Sequence, residues 1–183
     1  MVNQRDYLII DACILLNLIA TGMIQEVLSV IAQNSMICVL VKSESLYLRK
    51  EEDINENESV EVDDLINQGV IQLCDCETID EQELFVNLAS SLDDGEAMSL
   101  AIALSRNWHI ATDDKKARRI FKENNSNDDF LISTTDLIKT WAESENIADD
   151  IIKSILLKVE RKASFRPPKS DINLQWWNDI LSK

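Results

Sequence analysis

Five acidic residues stand where apolar runs stop. Asp11 directly follows YLII (7–10), Glu44 comes just after MICVLV (36–41), Glu96 opens EAMSLAIALSRN (96–107), and Asp113 with Asp114 follows WHIAT (108–112). If the apolar runs are strands of an open parallel sheet, their ends line one edge and these acids converge there. Converging carboxylates repel: two charges about 5 Å apart cost roughly 3 kcal/mol at an effective dielectric constant of about 20. Either one of them holds a proton or a cation sits among them. An all-carboxylate set suits hard, oxygen-liking ions, Mg²⁺ or Mn²⁺. Zinc does not fit, because the chain has a single histidine, His109, and only Cys13 lies near the acids. No serine–histidine or cysteine–histidine arrangement, Walker loop or GxGxxG is present, so the chemistry that fits is metal-assisted hydrolysis of a phosphodiester.

Each acid also has a structural reading, because Asp and Glu favour helix N-termini through capping and the helix dipole. Asp93-x-x-Glu96 has the form of an acidic capping box, in which Glu96 bonds back to a backbone N–H. Asp11 resists that reading, since Ala12 and Cys13 follow it and no capping Glu or Gln does.

Positioning these acids requires strands alternating with helices. After YLII, the run ILLNLIATGMIQEVLSVIAQ has helical spacing interrupted at Gly22. MICVLV reads as a buried strand, leading to Ser43 as a cap and a helix containing Glu44, Leu46, Tyr47 and Leu48. KEEDINENES (50–59) reads as a solvated loop, VDDLINQ as a short helix broken at Gly69, and VIQLC (70–74) as a strand. DEQELFVNLASSL (80–92) is an amphipathic helix, the Ala-rich run from Glu96 a buried one, KKARRIFKE a basic helix and FLIST (130–134) a last strand. Two helices broken near 145–146 fill 136–162. The expected fold is α/β, a three-layer α/β/α sandwich with a mainly parallel sheet. One domain is expected over 1–162, with 163–183 a C-terminal tail packing on the body or on a partner.

With 183 residues and 45% hydrophobic content, the chain has material for one full core. No run reaches the eighteen or so apolar residues of a membrane span, and the N-terminus lacks a basic region before a longer apolar run, which points to a cytoplasmic protein. Cys13, Cys38, Cys74 and Cys76 lack zinc-site spacing and read as reduced structural thiols. A net charge of −15 opposes nucleic-acid binding at long range. Two clusters counter it locally: Lys115, Lys116, Arg118 and Arg119, and Arg161, Lys162, Arg166 and Lys169.

Four motifs resemble one family. YLIIDACILLNL is similar to the opening motif of PIN domains, VKSESLYL to the segment supplying their second acid, DDGEAMSLAIALSRN to the third motif and ATDDKKARR to the fourth. They occur in family order and cover roughly residues 7–121. The resemblance implies an α/β/α fold and a Mg²⁺- or Mn²⁺-dependent nuclease, usually acting on RNA and leaving a 5′-phosphate. It implies Asp11, Glu44 and Glu96 as catalytic metal ligands, with a fourth at Asp113 or Asp114; alignment on Thr112 favours Asp114. It also implies, for many bacterial members, the toxin role of a VapBC-type toxin–antitoxin pair, with a small antitoxin protein as partner and a homodimer as assembly. Glu96 departs from the Asp that many members carry.

Lys115, Arg118 and Arg119 are the candidate substrate-binding residues, gripping RNA phosphates beside the acids; the structural alternative is a solvated helix face. Asn17 either orients a ligand or satisfies a core hydrogen bond, and Thr135 with Asp136 reads as a cap. Trp176 and Trp177 either stack RNA bases or dock on the body. Two rival functions remain: a catalytically degenerate PIN module acting as an RNA-binding or protein-interaction domain, and an unrelated α/β interaction domain in which the acids are caps.

Overall fold

The computed structural model describes residues 5–183 except Ser45, Ile54 and Ser126. The chain opens with β1 (Arg5–Ile10), α1 (Ala12–Thr21), α2 (Ile24–Ile31), β2 (Ala32–Cys38) and α3 (Val39–Ser43). A hairpin, β3 (Tyr47–Arg49) and β4 (Asn57–Ser59), leads to α4 (Val62–Asn67), β5 (Gln72–Cys74), α5 (Ile79–Ala89), α6 (Asp94–Arg106) and β6 (His109–Ala111). Then come α7 (Lys115–Asn124), β7 (Leu131–Ile132), α8 (Thr134–Ser144), α9 (Asp149–Lys158), a π-type turn (Val159–Ala163) and α10 (Leu174–Ser182).

The main sheet runs β5-β2-β1-β6-β7 with every neighbour parallel. The three-layer α/β/α sandwich with a mainly parallel sheet is therefore what the sequence folds into. Leu8, Ile9 and Ile10 are fully buried, because a strand covered on both faces must be apolar in every position rather than in alternate ones. From β1 the chain winds outward through β2 to β5, then crosses back to β6 and continues to β7. Winding therefore reverses between β1 and β6, and open α/β sheets form their crevice at such a point. The Asp11 amide donates to the Ala111 carbonyl (3.1 Å), holding the two strand ends together there.

The helix run from Ile14 breaks as its sequence indicates: Gly22, at φ 72°, closes α1 and α2 follows. These two helices bend by 119° and are largely buried; no single described helix is long and apolar enough to cross a membrane.

The segment 36–59 corrects the sequence reading. The strand begins earlier, at Ala32, and stops at Cys38, whose Sγ accepts from the Val41 amide and starts α3. The helix then ends at Ser43, and Tyr47, Leu48 and Arg49 alternate exposed, buried, exposed and pair antiparallel with Asn57–Ser59. A period of two beats a short apolar helix pattern once Leu48 has a core to enter. The charged stretch 49–59 is thus partly a hairpin. Three other strands are shorter than expected, β5 over Gln72–Cys74, β6 over His109–Ala111 and β7 over Leu131–Ile132.

The final segment is built onto the body. Trp177 is fully buried, packs edge-on against Phe165 and donates its indole N–H to Glu160 (3.0 Å), while α10 lies on α9. Base stacking is thereby closed to Trp177. All four cysteines are free thiols.

One ion pair joins α5 to α6. Glu81 is 3% exposed; it receives Arg106 Nε at 2.6 Å, accepts the amides of Glu77 and Thr78, and completes a capping box with Thr78. Arg106 first, then those amides, hold its carboxyl down at about 2 despite burial. A depressed acid stabilises the fold above its unfolded value near 4.5 and loses that contribution as pH falls toward about 2. Glu81→Gln should therefore lower the thermal midpoint at pH 6 and leave a much smaller difference from the parent at pH 2, measured by circular-dichroism melts across that range.

Candidate active site

Asp11 ends β1 and caps α1. Its Oδ1 accepts the Ala12 amide (2.7 Å) and its Oδ2 accepts the Thr112 hydroxyl (2.8 Å) and the Cys13 thiol (3.3 Å). The side chain is 2% exposed. Burial raises its pKa, those donors work against the rise, and the charge of Asp114 adds to it. Burial also drives the Cys13 thiol far upward, so it stays protonated and serves as a donor.

Thr112 links the first acid to the fourth motif. Its hydroxyl, donating to Asp11, also accepts the Asp114 amide at 3.1 Å, fixing the turn after β6. Sequence reading used Thr112 only as an alignment anchor; a hydroxyl one residue beyond a buried strand and directly before two acids is the signal for this bridging role.

The acid doublet divides. Asp113 turns toward α8, where Oδ1 accepts the Thr134 amide (3.1 Å) and Oδ2 accepts the Thr134 hydroxyl (2.6 Å) and the Asn17 amide nitrogen (3.3 Å). Asn17 also donates to Thr134 (2.9 Å), so it both satisfies a core bond and orients an acid. Burial raises Asp113, against the pull of Thr134 and Arg118. Asp114 instead caps α7 with Oδ1, accepting the amides of Lys116 (2.8 Å) and Ala117 (2.7 Å), and its charge is felt by both Asp11 and Glu96.

Glu44 reaches the same place from β2. It closes α3 in extended conformation, φ −69° and ψ 146°, and its carboxylate lies against the backbone of Gly95. A Cβ at Gly95 would fall 2.1 Å from Glu44 Oε1. Local desolvation raises the Glu44 pKa, followed by the charges of Asp11 and Asp93. Glu96, in the first turn of α6, is pushed up to about 7 by burial, then by Asp11 and Asp114, against a bond from the Asp93 amide. Asp93 itself makes no side-chain cap bond, so the acidic capping box is half built. Its charge joins the group instead, a contribution that the capping pattern concealed.

Asp11, Glu44, Glu96 and Asp114 thus share one electrostatic environment and, among the described residues, none forms an ion pair. The N-termini of α1, α6 and α7 lie beside them and offset part of the repulsion. As placed, the carboxylates stand apart: among the described residues no three His, Cys, Asp or Glu side chains are close enough to hold one metal ion.

The candidate substrate residues sit differently from one another. Arg118 Nη1 donates to the carbonyls of Thr112 (2.7 Å) and Ile132 (3.2 Å), tying the ends of β6 and β7. Arg119 pairs with Glu123 one turn along (3.0 Å), and Lys115 is exposed. Lys116 donates to the Ser91 carbonyl. Asp136 forms a capping box with Ser133, the cap of α8, and His109 stacks on Phe130 with ring centres 4.3 Å apart.

No curated protein and no solved structure matches the chain. A family model described as a PIN domain matches residues 7–164, which runs from within β1 through the π-type turn and includes all of the acids above. The chain belongs to the PIN-domain family, whose members are generally nucleases.

Proposed function

We propose that the chain is a Mg²⁺- or Mn²⁺-dependent endoribonuclease that hydrolyses RNA phosphodiester bonds and leaves a 5′-phosphate. The supporting observation is electrostatic: Asp11, Glu44 and Glu96 are each raised by burial and then by one another or by Asp114, with no cation paired to them among the described residues. A fold tolerates such an arrangement where the site has a use for it. The donor chemistry suits a hard divalent cation, being all oxygen with the one nearby thiol held protonated. Among the described residues the carboxylates, as placed, stand too far apart for three of them to share an ion, so Glu44 and Glu96 would have to close on Asp11.

Asp11, Glu44, Glu96 and Asp114 would hold the ion, which when bound polarises the phosphate and lowers the pKa of its water. Asp11 is fixed before any ligand arrives by Thr112 and Ala12. Glu44 and Glu96 are the adjustable members, on longer side chains. Glu96, held up to about 7, carries a proton part of the time near neutral pH and would shed it when a cation binds. Asp113 serves as a positioning residue, anchoring the turn that carries Asp114 to Thr134 and Asn17. The toxin role of a VapBC-type pair, with a small antitoxin partner, would be the regulated form of this activity; it is supported by the family resemblance and by a net charge of −15 that demands controlled access to RNA.

Three outcomes test this reading. End-labelled single-stranded RNA should be cut by the full chain in Mn²⁺ or Mg²⁺ and left whole in EDTA, and Asp11→Asn should abolish cutting. Cleavage that persists in that variant refutes the assignment, and RNA binding without cleavage by the parent chain supports a catalytically degenerate module instead. Gly95→Ala should fold normally yet lose about 100-fold in cleavage rate, because displacing a ligand by an ångström costs about that much. Glu96→Gln should abolish cleavage while raising stability. An acid raised to about 7 in the fold stabilises fully below its unfolded value near 4.5 and loses that contribution as pH rises through 7. The Gln variant should therefore melt about 2–4 °C above the parent at pH 8 without divalent ions, and the gain should shrink at pH 5.

A further inference from the structure

Ser133, Thr134, Thr135 and Asp136, at the N-terminus of α8, each carry a hydroxyl or a carboxylate, and the first three are almost wholly buried. Buried polar groups need partners, and these find them in two places. Thr134 serves the acids: its amide and its hydroxyl both donate to Asp113 (3.1 and 2.6 Å), the residue before Asp114. Thr135 and Asp136 are bonded instead to residues 171–173. The strand ahead of them, β7, has two residues and a single neighbour, β6, so the sheet alone gives this turn little support.

Residues 171–173 lie outside the span that matches the family, which stops at 164. Thr135 donates its hydroxyl to Asp171 (2.8 Å), and Asn173 donates its side-chain amide to Asp136 (2.7 Å). The two C-terminal residues are also fixed to each other, the Asn173 backbone N–H donating to the Asp171 carboxylate (2.7 Å). Lys139, three residues along α8 from Asp136, donates to the Asn173 side-chain oxygen (3.0 Å). Asn173 is buried, and α10 starts at the next residue, anchored by Trp177. The joint is therefore built into the body rather than laid on its surface.

The two sets of bonds are continuous. Asp136 accepts the Ser133 amide (2.9 Å) and hydroxyl (2.7 Å), and the hydroxyls of Ser133 and Thr135 share a bond (2.8 Å). Thr134 lies between those two residues in the chain, so its position is set from both sides. In such a network each group fixes the next, and removing one partner leaves the others buried and unsatisfied. The charge of Asp171 is felt at Asp113, which puts the two ends of the network within electrostatic reach.

We propose that Asp171 and Asn173 are positioning residues for the acid site: from beyond the family span they brace the N-terminus of α8, so that Thr134 holds Asp113 and the turn carrying Asp114 stays fixed. The inference rests on the nuclease reading for its use and adds to that site an element from the C-terminal segment. Neither residue touches the reacting atoms; each acts through Thr135 or Asp136 and then Thr134.

Hydrogen–deuterium exchange of the full chain, read by mass spectrometry, tests the brace without reference to catalysis. In Asp171→Ala and in Asn173→Asp, which sets a carboxylate against that of Asp136, the amides of residues 112–116 should exchange about tenfold faster than in the parent. Asp171→Asn should restore the parental rate, because an amide still accepts the Asn173 N–H and donates to Thr135, whose bond to Ser133 can run in either direction. Ile180→Ala removes a buried side chain from α10 without touching the network. It should lower the melting temperature comparably and leave exchange at 112–116 unchanged. In Mn²⁺, Asp171→Ala and Asn173→Asp should cut RNA with kcat lowered about tenfold and KM within about twofold of the parent, and Asp171→Asn should recover the parental kcat. Parental exchange at 112–116 in both network variants, equal acceleration by Ile180→Ala, or failure of Asp171→Asn to restore overturns the proposal. The nuclease reading fails separately. A parent chain that cuts no RNA removes catalysis, and faster exchange at 112–116 in the network variants then still supports the brace. A parent that cuts, with network variants that exchange faster there yet keep its kcat, overturns the positioning role and leaves the nuclease reading intact.

Discussion

Like charges gathered at the reversal point of the sheet are the constraint around which the remainder is arranged. Strand order β5-β2-β1-β6-β7 brings the ends of β1 and β6 together, with Asp11 just after one and Asp113 and Asp114 just after the other. Their repulsion is managed rather than removed. Asp11 receives three donors, Asp114 receives two helix amides, and three helix N-termini surround the group. Each of these devices is local and short-ranged, so burial and their mutual charges still raise Asp11, Glu44 and Glu96. The large apolar core underneath, from Leu8 to Ile14 and across to Ala101 and Ile110, supplies the stability against which this repulsion is tolerated.

Charge segregation follows from the same arrangement. The chain carries 33 acids and 18 basic residues, and its cations are not spread evenly. Four of them share one face of α7, immediately after the acids. Arg118 is spent on carbonyls at the ends of β6 and β7, which makes it as much a strut between strands as a cation. Basic residues elsewhere serve the fold: Arg106 buries itself against Glu81, and Lys162 reaches across to Glu58 on the hairpin.

How much of this the sequence discloses depends on distance along the chain. The strand ahead of Asp11, the buried helix after Glu96 and the basic helix after Asp114 are legible because apolar period and strand-end acids are local patterns. The stretch MICVLVKSESLYL is not, since a short apolar run fits a strand or a helix and the choice fell to the Cys38 sulfur and to a core position for Leu48. The division of labour between Asp113 and Asp114 is equally hidden, because the partners that decide it, Asn17 and Thr134, lie 96 and 21 residues away. Trp176 and Trp177 look alike in sequence; only the latter finds Glu160 and Phe165 and disappears into the body.

Gly95 shows a different kind of concealment. Glycines draw notice when their backbone angles forbid other residues, as at Gly22 and Gly69, both at φ 72°. Gly95 is an ordinary helical residue by its angles, the second residue of α6, where nothing in the backbone calls for glycine. What reserves the position is the room taken by another residue's carboxylate, so the constraint is one of volume and not of conformation. Helix propensity and site geometry therefore pull in opposite directions there: alanine would improve α6 as a helix and evict Glu44 from it. A survey that ranked glycines by backbone strain would pass over the one whose missing methyl group leaves room for the carboxylate of Glu44.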